Sequence, residues 1–219
     1  GSTPTALWRA DVAGAGKLAP QVAGELAPPF ARVKRALEAR APVLAERDEP
    51  FTEAAVVLVL RATPAMDDAE LLLIRRAVRA GDPWSGQIGL PGGRWEHDDG
   101  TLERTALRET QEEVGIDVAA HGIVIGQLDD LRPRTPVLPP IIVRPFVVAL
   151  HSSPPLTAND EVAEMRWVRV GALLHPGARV RTSVPVRDIR MTVDAYQLGD
   201  FTVWGMTERI LGTFVEMWR

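Results

Sequence analysis

Three glutamates crowd the end of what reads as a helix. In RETQEEVG (108–115), Glu109, Glu112 and Glu113 fall just before Gly115, a residue type expected of a helix C-terminal cap. Leu102, Ala106, Glu109, Glu113 and Ile116 follow one another at intervals of four, three, four and three, so they share one face. A stripe that starts apolar, and so points inward, therefore turns acidic before it ends, with Glu112 beside it. The arrangement is costly. Carboxylates in a last turn oppose the helix dipole by roughly 0.3–1 kcal/mol each. Like charges four residues apart repel by about a few tenths of a kcal/mol, and drawing either toward the core costs more. A solvated acidic face, part-neutralised by Arg104 and Arg108, is the plain alternative, but the inward stripe argues against it. A divalent cation would offset all the penalties together. Oxygen ligands of this kind suit Mg²⁺ or Mn²⁺, and such an ion, retaining waters, implies a phosphate-bearing substrate that completes its shell.

The residues before the helix fit that chemistry. LPGG (90–93) ends a short strand on two glycines, which let backbone carbonyls approach an ion where a side chain would block them. Asp99 follows near the helix start, where an N-cap role is the expectation and a metal role the alternative.

The elements that must position these groups are legible around them. AAVVLVLR (54–61) and ELLLIRR (70–76) read as buried strands separated by the turn-like TPAMDD. Residues 101–114 form the acidic helix. GIVIGQL (122–128) and IIVRPFVVAL (141–150) read as strands joined by a Pro-rich connection, MRWVRV (165–170) as another, and GMTERILGTFVEMW (205–218) as a closing helix with Met206, Ile210, Phe214 and Met217 on one face. Ahead of them, residues 1–50 read as an extension with one helix in PFARVKRALEAR (29–40), where Phe30, Val33 and Leu37 recur at helical spacing. Interleaved strands and helices argue an α/β or α+β fold with a mixed sheet between helices. The expected division is an extension over 1–50 and one domain over 51–219.

Composition narrows the function classes. The chain has 219 residues, 46% of them hydrophobic, with a formal net charge of −4 and no cysteine. That size supports a core without staples. The weak acidic balance is no footprint for duplex nucleic acid. Thiol nucleophiles, zinc thiolates and disulfides are excluded. The longest apolar run, AAVVLVL (54–60), is too short to span a bilayer. Gly1-Ser2 has the look of an expression remnant, and no charged-then-apolar leader opens the chain. A cytoplasmic protein without membrane partners is expected. The extension and the closing helix are compatible with a homodimer.

Gly93, five residues, Asp99, eight residues, then Arg108-Glu109-Thr110-Gln111-Glu112-Glu113-Val114-Gly115-Ile116 resembles the Nudix box of the Nudix hydrolases. That box has Gly, five residues, Glu, seven residues, Arg-Glu, two residues, Glu-Glu, one residue and Gly. Here Asp replaces the first Glu, one residue is inserted, and Thr110 stands where an aliphatic residue is usual. The resemblance implies an α/β/α sandwich around a mixed sheet and hydrolysis of a nucleoside diphosphate linked to another group. It implies that Arg108 orients the glutamates, that Glu109, Glu112, Glu113 and the Gly92 carbonyl hold Mg²⁺ or Mn²⁺, and that the general base is Glu109 or a later loop acid. Glu161 and Glu164, in NDEVAEMRWV (159–168), are the loop candidates; their alternative is ordinary surface acid.

Substrate choice lies outside the box. LLLIRRAVRAGDPWSGQIGLPGG (71–93) is similar to the segment that marks coenzyme A pyrophosphatases: Arg76, Gly86 and the final PGG keep its spacing. Asp82 stands where that pattern has Arg, Ile74 replaces Thr and Leu90 replaces Phe. TALRE (105–109), PFV (145–147) and VWGMTERIL (203–211) also resemble that subgroup. The implied small-molecule substrate is coenzyme A, a coenzyme A ester or a similar ADP-containing compound. An ADP-ribose, NADH or (d)NTP pyrophosphatase, or a non-catalytic nucleotide sensor, is the alternative. Arg75, Arg76 and Arg79 are the candidates for phosphate contact, since guanidinium forks suit it; strand-end charge is their alternative. Trp84 and Trp95 flank the PGG loop, where packing is the expectation and base stacking the alternative. The histidines at 97, 121, 151 and 175 show no ligand spacing.

Overall fold

The structure, a computed structural model, describes residues 26–82, 84–133, 140–186 and 189–219. Gly1-Ser2, the start of the extension and most of the Pro-rich connection lie outside the described residues. Chain order begins with α1 (Pro28–Glu38), β1 (Thr52–Ala62), β2 (Ala69–Arg76), β3 (Ile88–Gly89) and β4 (Gly92–Arg94). A 3₁₀ turn, His97–Asp99, precedes α2 (Leu102–Val114) and α3 (Val118–His121). Then come β5 (Gly122–Gln127), β6 (Ile141–Leu150), β7 (Val162–Arg169), α4 (Val170–Leu174), β8 (Arg179–Val186), β9 (Ile189–Leu198), β10 (Phe201–Trp204) and α5 (Met206–Trp218).

A seven-stranded mixed sheet forms the centre, with β3, β2, β1, β6 and β5 in that order, β4 paired to β1 and β7 to β2. Strands β1 and β6 run parallel from Thr52↔Ile141 to Arg61↔Leu150; the other pairings are antiparallel. The apolar runs are continuous because both faces are covered. On β1, Ala54, Leu58 and Leu60 enter one core cluster while Ala55, Val57 and Val59 enter the other. Leu71 and Leu73 of β2 face the first cluster, Leu72 and Ile74 the second. The first is closed by α1, through Phe30, Val33 and Leu37, and by α5, through Ile210, Leu211, Phe214 and Trp218. The second is closed by α2 and α3, through Leu102, Ala106, Val114 and Val118. The result is an α/β/α sandwich.

Two expectations need correction. The strand read over 165–170 spans Val162–Arg169, and Val170 instead opens α4. The second is larger: Arg179–Val186, Ile189–Leu198 and Phe201–Trp204 form a separate three-stranded antiparallel sheet, β8, β9 and β10, with no counterpart in the sequence reading. Its first strand gives little apolar signal because Arg179, Arg181, Ser183 and Pro185 are exposed and only Val184 is buried. Among the described residues no helix is long and apolar enough to cross a membrane.

Candidate functional site: a glutamate-lined cleft

Helix α2 delivers the acids. Thr101 caps its start, accepting from the Arg104 amide at 3.2 Å, and Gly115 ends it in the left-handed region at φ 77°. The inward stripe is real: Leu102, Ala106, Glu113 and Ile116 are all buried. The three glutamates nevertheless differ sharply, with side chains 2% exposed for Glu113, 15% for Glu109 and 54% for Glu112.

Glu113 carries the largest electrostatic burden. Its Oε2 accepts from the Gly92 amide at 2.9 Å, and Oε1 lies 3.7 Å from Arg76 Nη1. Burial pushes its carboxyl up to about 7, against the Gly92 bond and the Arg76 charge, with Glu109 and Glu161 adding repulsion. Burial also raises Glu109, which Arg108 opposes and Glu112 and Glu161 reinforce.

The loop is shaped around these carboxylates. A Cβ on Gly93 would run into the Glu109 carboxyl group. One on Gly92 would collide with the Ala55 carbonyl across the sheet, at a φ of 149° that favours glycine. The two glycines thus let β4 lie against β1 on one side and Glu109 on the other.

Asp99 is not the helix cap expected of it; Thr101 holds that position. Asp99 is buried and serves as the anchor of Arg108, whose Nε and Nη2 reach its two oxygens at 2.8 and 3.0 Å. The Thr105 hydroxyl and the Glu96 amide also donate to it. This fork holds the Asp99 carboxyl well below the usual carboxylate range. Thus fixed, Arg108 donates through Nη1 to Glu109 at 2.9 Å and to Glu112 at 3.1 Å. It touches two of the three glutamates.

The structure gathers some of the remaining candidates and separates others. Arg76, Glu109, Glu161, Gly92 and Gly93 line one cleft of about 360 Å³. Glu161 is joined to Arg79 at 2.9 Å, and Arg79 also holds Asp160. Glu164 does not stand with them. It lies opposite Arg75 in the β2–β7 register and is bound by Arg75 at 3.0 Å and by Arg166. Arg75 faces a neighbouring cavity, stacks 4.8 Å from the Phe201 ring and contacts Asp200. Trp84 packs on the core and lines the cleft, whereas Trp95 is exposed and meets His97 edge-on at 6.2 Å. Arg94 escaped the sequence reading. It lines the cleft next to the two glycines, and no ion-pair partner is found for it among the described residues. Its place directly after PGG, on β4, was the available signal.

The donor set fits a hard divalent ion in kind, since a buried carboxylate and two acidic neighbours repel one another around a cleft. As arranged, no three acids among the described residues converge closely enough to hold one. Arg108 holds Glu109 and Glu112, so joint ligation requires them to rotate off it.

The NUDIX domain family model matches residues 50–188. The chain belongs to the Nudix domain family. Among curated relatives, the chain is 31% identical over 166 residues to a mitochondrial coenzyme A diphosphatase of Mus musculus, covering 74% of this chain and 75% of that protein. It is 30% identical over 125 residues to a peroxisomal coenzyme A diphosphatase of Caenorhabditis elegans, covering 56% and 50%. Identity is 36% over 118 residues with an uncharacterized protein of Schizosaccharomyces pombe, of which the chain spans only 36% while 52% of this chain is covered. A MutT/nudix family protein from Enterococcus faecalis shares the Nudix fold at a TM-score of 0.53 and 22% identity, over 82% of this chain and 65% of that one. Since the two named diphosphatases are mitochondrial and peroxisomal, the cytoplasmic expectation gains no support from them.

Proposed function

We propose that the protein is a divalent-metal-dependent pyrophosphohydrolase. Its substrate would be a nucleoside diphosphate linked to another group, foremost coenzyme A, its esters or a similar ADP-containing compound. One observation carries the reading: Glu113, 2% exposed, is bonded to the Gly92 amide and crowded by Glu109 and Glu161, which line the adjoining cleft with Arg76 and Arg94. A buried carboxylate under such repulsion is a poor structural element and a good cation ligand. The names of the mouse and nematode relatives support coenzyme A at modest identity.

Glu109, Glu112, Glu113 and the Gly92 carbonyl are assigned to hold Mg²⁺ or Mn²⁺, which would polarise the pyrophosphate and acidify a ligated water. Arg108, fixed by Asp99, holds Glu109 and Glu112 until they turn toward the ion. Arg76 and Arg94 bind phosphate oxygens. Glu161, steadied by Arg79, accepts the proton of the attacking water, with Glu109 as the second candidate. The water oxygen bonds to phosphorus, the bond to the bridging oxygen breaks, and the electron pair leaves with the departing phosphate. From coenzyme A the products are 4′-phosphopantetheine and adenosine 3′,5′-bisphosphate. Glu164 and Arg75 are given no part in this step.

Asp82 favours a second substrate within the same chemistry. Its carboxylate is bound to Arg76 at 3.2 Å, at the position where the coenzyme A pattern has Arg. ADP-ribose and NADH lack the nucleotide 3′-phosphate that such an Arg would meet.

Purified protein with Mn²⁺ should be assayed by product chromatography against coenzyme A, acetyl-coenzyme A, ADP-ribose, NADH and dATP. Cleavage of coenzyme A or its ester is expected. Turnover of ADP-ribose alone discards the coenzyme A assignment, and turnover of nothing discards the enzyme.

A further inference from the structure

A second and larger cavity, of about 640 Å³, adjoins the glutamate cleft. The two share Asp82, Trp84, Gln87, Ile88, Met206 and Thr207 as a common wall. A ligand with its pyrophosphate in the cleft beside Glu109 and Glu161 therefore has room for its far end next door, in a volume ordinary for a small-molecule site. The opposite wall is the three-stranded sheet, with Thr182 and Val184 on β8, Met191 on β9, and Thr202 and Trp204 on β10. Strands β9 and β10 lie beyond residue 188, where the family match ends. Met191, Thr202 and Trp204 of this wall thus lie outside the matched domain, and its β8 residues lie within it.

Charge decides what the cavity can take. Among the described residues, the charged side chains lining it are Arg75, Asp82 and Asp200. Arg75 is matched by Glu164 at 3.0 Å and by Asp200 at 3.4 Å, and Asp200 is also bound by Arg166. Asp82 is matched by Arg76 from the cleft side. Among the described residues, no unmatched cation faces the space. An anionic group entering it would shed water against two carboxylates. A neutral apolar group would instead bury surface against Trp84, Ile88, Val184, Met191, Trp204 and Met206.

We infer that this cavity receives the uncharged acyl end of a thioester-bearing substrate arm and discriminates against acyl groups that carry a carboxylate. The inference rests on the coenzyme A reading above and adds a selectivity to it.

The test is a set of kcat/KM values, with Mn²⁺, for coenzyme A and its acetyl, butyryl, hexanoyl and succinyl esters, with ADP-ribose alongside. Extending acetyl to hexanoyl should raise kcat/KM at least about tenfold. Succinyl, with the same four-carbon chain as butyryl, should fall at least about tenfold below it. Two variants locate the effect. Val184→Trp, which fills the cavity, should flatten the dependence on acyl length. Met191→Lys, at an exposed rim position, should narrow the butyryl-to-succinyl gap at least about threefold. Should Val184→Trp fail to fold, as judged by its melting curve, the Met191→Lys ratio decides alone. Equal rates for butyryl and succinyl esters, or a gap unmoved by Met191→Lys, overturn the inference while the coenzyme A reading stands. Turnover of ADP-ribose but of no coenzyme A compound overturns both.

Discussion

Consider Glu113→Gln measured across pH in EDTA. In the fold the Glu113 carboxyl ionises near 7, against 4.5 in the free chain. Between these values the folded protein keeps a proton that the unfolded chain has released, so this group's contribution to stability falls as pH rises. The contribution is fully present below 4.5 and lost as pH climbs through 7. The gap corresponds to about 3 kcal/mol. For a domain of this size that is roughly 6–12 °C in Tm. Glutamine keeps an oxygen for the Gly92 amide and cannot ionise, so the variant lacks this pH dependence. Thermal melts followed by circular dichroism at pH 4.5, 6, 7 and 8.5 should show the variant gaining on the wild type by that amount from the acid to the alkaline end. Carboxyls remote from Glu113 titrate alike in both proteins and cancel in the difference, while Glu109 and Glu161, relieved of its charge, change in the same sense as the expected gain. Parallel Tm curves would refute the claim that burial burdens Glu113.

Three further outcomes follow from the same geometry. Gly93→Ala should displace only the flexible Glu109 carboxylate, lowering metal-dependent hydrolysis at least about tenfold while Tm moves by no more than about 3 °C; a melt and a rate assay check it. Gly92→Ala meets backbone at a positive φ and should cost roughly 3 kcal/mol, read as the loss of denaturant midpoint. Arg108→Met should leave Asp99 buried without its fork, destabilising the fold at pH 7 by roughly 3 kcal/mol. Because the wild-type Asp99 carboxyl is held low, the stability it gives is lost as pH falls, so acid unfolding should show less difference between wild type and variant than neutral unfolding does.

What was legible in the sequence follows from where the information lies. Strands β1, β2 and β6 stood out because burial on both faces leaves unbroken apolar runs. Helix α2 stood out because its stripe changed chemistry part-way along. The role of Asp99 was not legible: its partner is nine residues on, and local pattern near a helix start speaks only for caps. Glu161 and Glu164 are three residues apart and looked equivalent. The turn before β7 points one toward Glu109 and Glu113, while cross-strand register delivers the other to Arg75. The sheet formed by β8, β9 and β10 was missed because its first strand alternates among exposed polar residues, so period-two apolar signal is weak. It carries the wall of the larger cavity, which places the residues proposed to select the substrate where apolar periodicity is faintest.

The central claim is that the Glu109–Glu113 cleft holds a divalent cation. Calorimetric titration of Mn²⁺ at pH 8 into the wild type, Glu113→Gln and Glu109→Gln tests it most directly. The wild type should give a saturable heat of binding that weakens at least about tenfold in each variant. Equal binding in all three proteins, or none in the wild type, would contradict it.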